Sequence, residues 1–186
     1  MRHIPNILSG IRILLIPFFV WQMALDNTLA AAIILLVSGA TDLLDGFLAR
    51  RYNWVSDLGK ILDPAADKLT QGAVCIMLII TMPQYWYFFA LLLFKEFVML
   101  ILGGWLVRRK VHIKSSRWFG KVVTTLFYVI MTVIIFFPNI PFWATAVLLG
   151  LVTVCAFAAG VLYIPQFIAY LRQVRSGETG AAAAEE

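Results

Sequence analysis

Six apolar runs, at about 7–25, 28–48, 61–82, 86–107, 119–137 and 142–164, take up most of a 186-residue chain. The hydrocarbon core of a bilayer is crossed by about 20 apolar residues in helical form. Lipid offers no partner for a backbone amide, so only helices and closed barrels span it. Continuous apolar runs of this length, without strand-like alternation, read as helices. The expected fold class is therefore an all-α integral membrane protein with six transmembrane helices. Composition agrees, with 62% hydrophobic residues, 13% charged residues and a mean hydropathy of +0.89, which excludes an ordinary soluble domain. The N-terminal segment is not expected to be a removable leader, because Asn6, Ser9 and Arg12 interrupt it and no small-residue cleavage site precedes its apolar run. Cys75 and Cys155 both fall in apolar runs, where packing is expected rather than a disulfide or a metal.

Turn signals separate the runs: Asp26-Asn27, the 51–57 stretch, Met82-Pro83-Gln84, the basic 108–117 stretch and Pro138-Asn139. Placing the N-terminus inside puts fourteen of the fifteen Lys and Arg residues at the cytoplasmic ends, leaving only Lys95 within a span. The positive-inside rule then predicts both termini in the cytoplasm of a cell (inner) membrane. The net charge of +5 is concentrated on that side, so it reports topology, and no nucleic-acid partner is expected. Residues 1–175 read as one membrane domain. The small, polar tail 176–186, "SGETGAAAAEE", is expected to be disordered.

Half of the ten acidic residues sit between Thr41 and Asp67: Asp42, Asp45, Asp57, Asp63 and Asp67. Asp42 and Asp45 close the second run and Asp63 and Asp67 open the third, so both pairs fall at cytoplasmic ends. At about 100° per residue, each pair shares one helix face, and two antiparallel helices could aim all four carboxylates at one point. Asp57 suits a helix N-terminal charge or cap instead. Asp42 lies well inside its helix, where burying a carboxylate costs about 2.5–3.5 kcal/mol. Four converging oxygen donors call for a hard divalent cation, Mg²⁺ or Mn²⁺. Gly46, Ala49 and Gly59 keep the surroundings narrow enough for a ligand or a helix to approach, and Arg50 is a fixed cation suited to phosphate.

Asp42, Asp45-Gly46, Ala49-Arg50, Gly59, Asp63 and Asp67 spell D-x2-D-G-x2-A-R-x8-G-x3-D-x3-D. This resembles the signature of the CDP-alcohol phosphatidyltransferases at every spacing, and the six-run pattern extends the resemblance over all but the tail. The resemblance implies a membrane enzyme whose site lies at the cytoplasmic ends of helices 2 and 3. It would displace CMP from a CDP-linked lipid with an alcohol. Asp42, Asp45, Asp63 and Asp67 would hold two metal ions, with Asp67 also the general base. Gly46, Ala49, Arg50, Ser56 and Gly59 would lie against the CDP-lipid. So would Pro5, Asn6, Ser9 and Arg12 of the N-terminal "PNILSGIR", which is similar to the family's segment before its first helix.

The acceptor is expected at "RRKVHIKSSRWFGK", Arg108 to Lys121. Arg109 and Lys110 read as ordinary positive-inside charge. Lys114, Arg117 and Lys121 recur at three- and four-residue spacing, a cationic stripe if helical, and with Arg108 they are candidates for an acceptor phosphate. Gly120-Lys121 with Thr124 and Thr125 resembles the region found in members that use glycerol 3-phosphate, so CDP-diacylglycerol and glycerol 3-phosphate are the expected substrates, beside membrane lipids. His112 reads as a solvated loop residue. Lys95-Glu96 reads either as an ion pair or, for Lys95, as a reach toward the acceptor. Rival readings are a relative using phosphatidylglycerol or an inositol phosphate as acceptor and, from another class, a divalent-cation transporter. The sequence allows a homodimer without specifying one.

Overall fold

A computed structural model of the chain describes the backbone over residues 4–52, 59–108 and 118–175, and side chains over 7–44, 62–102 and 120–162. Within these residues the chain is entirely helical: α1 (Ile4–Ala24), α2 (Thr28–Tyr52), α3 (Gly59–Thr81), α4 (Trp86–Arg108), α5 (Trp118–Phe136) and α6 (Phe142–Arg175), with one 3₁₀ turn at Pro83–Tyr85. The six helices coincide with the six apolar runs. Two overrun them, α2 to Tyr52 and α6 to Arg175. The added residues include four Arg, two Ala and two Gln, which are good helix formers.

Three helices contain stretches long and apolar enough to cross a membrane, Ile7–Ala24, Pro83–Leu102 and Phe142–Leu162, and two more, Thr28–Leu44 and Gly120–Phe136, are apolar over shorter lengths. The outside of the bundle is lined with large apolar side chains, among them Leu14, Trp21, Ile80, Phe94, Trp143 and Val154. Such continuous exposed apolar surface has no place in water, and this is a membrane protein.

The extensive contacts among the described residues form a closed ring: α1 on α2, α2 on α5, α5 on α6, α6 on α4, α4 on α3, and α3 back on α1. Among the described residues, consecutive helices α2 and α3 share no extensive contact, and α1 stands against both. The interior is filled by Leu35, Val74, Leu78, Phe89, Met131, Ile134, Leu149 and Val152. Cys75 is buried in it, and both cysteines are free thiols, as expected of packing residues.

One end of the bundle gathers the short connections. Asp26 adopts a left-handed φ of 55° between α1 and α2, a conformation that Asp tolerates better than most side chains. Asn27 then caps α2, its Oδ1 accepting from the Ala30 amide at 3.3 Å. Tyr85 ties the start of α4 to the start of α6, stacking on Phe142 and donating to its carbonyl at 3.0 Å. A cavity lined by Met23, Asp26, Thr28, Leu78, Thr81, Met82, Ile135 and Pro138 brings the ends of α1, α3 and α5 and the start of α2 to this same face.

At Gly39 α2 comes close to α5: a Cβ there would meet Cβ and Cγ of Tyr128 at 3.1 Å. Gly72, by contrast, has nothing within 4 Å of a Cβ. Gly39→Ala is expected to lower the thermal midpoint in detergent, by about 1–3 kcal/mol of stability, the usual cost of overpacking. Gly72→Ala should hold or raise it, since Ala favours a helix over Gly by about 1 kcal/mol. Thermal unfolding of the two variants side by side checks the contrast.

Candidate active site

Away from the short connections, α1, α2 and α3 bring their acidic and basic residues together. Arg12 in α1 is fully buried, and its Nη1 donates to Oδ1 of Asp42 in α2 at 2.6 Å, an ion pair with a short charge-assisted hydrogen bond. One turn earlier, Ser9 Oγ donates to Oδ1 of Asp63 in α3. A single face of α1 thus holds one carboxylate from each neighbour. Asp42 lies ten residues before the end of α2, well within the helix, so its charge needs this partner.

Asp67 is held from two sides. Gln71, one turn further along α3, donates to its Oδ2 at 3.0 Å, and the hydroxyl of Tyr128 in α5 lies 3.4 Å from its Oδ1. Helices α3 and α5 are not neighbours in the ring, so this contact crosses the interior. Lys68 Nζ lies 4.0 Å from Oδ2 of Asp67 and bonds directly to Glu96 of α4, which also receives Lys95. The stranded Lys95-Glu96 is thus part of an interhelical ion-pair group, as one of the two sequence readings had it.

The donor set that these helices supply is all carboxylate, without thiol or imidazole, and that chemistry fits Mg²⁺ or Mn²⁺. Among the described residues no three such groups are close enough to hold an ion; the side chain of the fourth aspartate, Asp45, is outside them. So are the side chains of Pro5, Asn6, Gly46, Ala49, Arg50, Gly59 and Arg108, and Ser56, Asp57, His112, Lys114 and Arg117 altogether. Gly46, Ala49 and Arg50 continue α2, and Gly59 begins α3. Lys121 is exposed in the first turns of α5. Thr124 and Thr125 donate to carbonyls of their own helix, at 3.1 and 2.9 Å, so their oxygens are left as acceptors.

The model of the CDP-alcohol phosphatidyltransferase family matches residues 2–164. The chain belongs to this family. Its relatives include proteins named CDP-diacylglycerol–glycerol-3-phosphate 3-phosphatidyltransferase from Escherichia coli (strain K12) and Shigella flexneri. Each is 33% identical over 180 residues, covering 94% of this chain and 96% of the relative. The family signature, Asp42 to Asp67, runs from within α2 into α3 and takes in three of the acids just described.

Sequence reasoning missed Lys68, Gln71 and Tyr128 as neighbours of the aspartates. For Lys68 a signal existed. Lys68 lies nine residues after the start of α3 and Glu96 twelve before the end of α4, which puts both roughly 14–18 Å from the same end of the bundle. Opposite charges stranded at one depth are natural partners. Gln71 had one too, its i,i+4 spacing from Asp67 on α3; Tyr128 carried none.

Removing the guanidinium would leave Asp42 without its partner. Arg12→Met is expected to cost about 3 kcal/mol, the lower range for breaking a buried pair, since Asp42 keeps some exposure. Adding Asp42→Asn should recover part of that stability. Thermal unfolding of the two single variants and the double variant measures the coupling.

Proposed function

We propose that this protein transfers the phosphatidyl group of CDP-diacylglycerol to glycerol 3-phosphate, forming phosphatidylglycerophosphate and CMP. The observation that carries the proposal is the anchoring of Asp42 and Asp63 of the family signature on one face of α1, in a chain related over nearly its whole length to enzymes bearing that name. All six helices would span the membrane. Both termini and the ends of α2 and α3 that bear the signature would face the cytoplasm, in line with the distribution of Lys and Arg.

Asp42, Asp45, Asp63 and Asp67 would hold two Mg²⁺ or Mn²⁺ ions. Bound there, the metal would neutralise the pyrophosphate and stabilise departing CMP. Arg50, with Gly46, Ala49, Ser56 and Gly59, would lie along the CDP-lipid, joined by Pro5, Asn6, Ser9 and Arg12. Ser9 and Arg12 orient the carboxylates as well, because each bonds one of them. Asp67 would take the proton of the attacking hydroxyl. Gln71 and Tyr128 fix its two oxygens, which matters for a weak base that must meet the proton in one geometry. Arg108, Lys114, Arg117 and Lys121 would supply positive charge for the acceptor's phosphate.

Release of CMP from CDP-diacylglycerol, measured over a panel of acceptor alcohols, tests the reading. Glycerol 3-phosphate should be the productive acceptor. Turnover with phosphatidylglycerol alone would make the protein a cardiolipin synthase, and turnover with inositol phosphate alone would place it in that branch of the family. EDTA should abolish activity and Mg²⁺ or Mn²⁺ restore it; full activity in metal-free protein would remove the metal from the proposal. Asp67→Asn is expected to lower kcat by about 10² or more, the scale of a lost general base, with CDP-diacylglycerol binding largely kept. Lys121→Ala should raise the KM for glycerol 3-phosphate roughly tenfold, one charge-assisted contact, without comparable change for CDP-diacylglycerol.

A further inference from the structure

Four charged side chains alternate in sign from α4 into α3: Lys95, Glu96, Lys68 and Asp67. Glu96 receives Lys95 on Oε1 and Lys68 on Oε2, and Nζ of Lys68 then stands 4.0 Å from Oδ2 of Asp67. Their formal charges cancel, as a water-poor interior requires. The contacts within the chain of charges are unequal. Lys68 bonds directly to Glu96, whereas a charge-assisted bond to Asp67 would close to about 2.7–2.9 Å. Asp67 is bonded instead by uncharged groups, Gln71 at 3.0 Å from Oδ2 and the Tyr128 hydroxyl at 3.4 Å from Oδ1. A pair that merely fastens α3 to α4 needs only Lys68 and Glu96. It explains neither the second lysine on Glu96 nor why the lysine next to Asp67 in the chain leaves that carboxylate to neutral partners.

We propose that Glu96 is a positioning residue that keeps Lys68 off Asp67: Lys95 fixes one oxygen of Glu96, the other holds the Lys68 ammonium, and Asp67 is left beside a cation without being covered by it. This rests on the reading of Asp67 as metal ligand and general base. Both tasks use the lone pairs of its carboxylate. An ammonium seated on Oδ2 would occupy one of them and repel an arriving divalent ion. It would also compete with the hydroxyl proton that the base must meet. Asp67 is the only other carboxylate within 4.0 Å of Lys68 among the described residues, so a lysine released by Glu96 has it as the nearest partner. The move is short, about 1.2 Å to reach the length of a charge-assisted bond, well within the freedom of a lysine side chain. Lys95 then has a purpose. Anchored on Oε1, it fixes the direction in which Glu96 presents Oε2 to Lys68.

The test uses the purified full-length protein in detergent, as wild type, Glu96→Gln and the charge-balanced Lys95→Gln/Glu96→Gln, each with and without Lys68→Gln. The readouts are steady-state kinetics and an electron paramagnetic resonance titration of Mn²⁺ without substrates. Both Glu96 variants should lower kcat about tenfold or more, with each KM within about threefold, and weaken Mn²⁺ binding about tenfold. Adding Lys68→Gln should bring both quantities back to within about threefold of Lys68→Gln alone, because Glu96 matters only while there is a lysine to hold. A pair that only fastens two helices predicts otherwise, since losing Lys68 after Glu96 would restore neither. The balanced variant keeps both readouts usable where Glu96→Gln alone does not purify folded. Equal losses with and without Lys68, or unchanged kcat and Mn²⁺ affinity in the Glu96 variants, would overturn the proposal and leave the transferase reading intact. Wild-type kcat and Mn²⁺ affinity in Asp67→Asn would overturn the role of Asp67, and this proposal with it.

Discussion

A fully buried guanidinium organises the charged end of this bundle. Arg12 cannot be solvated where it lies, and Asp42, half-buried within α2, is the carboxylate that pairs with it. Their pairing fixes the rotation of α1 against α2 and turns Ser9, one turn away, toward Asp63 of α3. A helix with no acidic residue of its own thereby sets the positions of carboxylates on two others. Because unpaired charge is so costly in a water-poor interior, this arrangement leaves little freedom for those helices to rotate.

The closed ring of six helices has a further consequence. Elements distant in the chain meet across its interior, so Asp67 of α3 touches Tyr128 of α5 and adjoins the Lys68–Glu96 link to α4. Gly39 allows α2 to pack on the Tyr128 ring, which brings the wall behind Asp67 close on a second side. The carboxylate proposed as the base is thus the one most surrounded by groups that fix its direction. Asp42 and Asp63, proposed only as ligands, each take a single described partner from α1.

Much of this was legible before any coordinates. Apolar run length gave the six helices, though not the ends of α2 and α6, because lipid permits few other ways to satisfy that much backbone. The signature from Asp42 to Asp67 gave the family and the location of the acids. The sequence let α2 and α3 aim their aspartates at one point; what it did not show is the part of α1, whose buried Arg12 and Ser9 have hydrogen bonds to make with both. The resemblance assigned the polar residues of α1 to the CDP-lipid, and nothing in a linear pattern reveals which distant carboxylate a buried arginine will also meet.

The amino-acid sequence by itself determined the helices, the membrane environment and the spacing of the aspartates. Those follow from local rules: residues per turn, apolar length and the cost of charge in lipid. Tertiary structure decided the order of helices around the ring and the partner of each charge. Lys68 lies within ion-pair distance of Asp67 in its own helix and bonds more closely to Glu96 of α4, where Lys95 joins them. That choice depends on which helix faces bury one another, a property of all six helices together, and so it could not be read from any one segment.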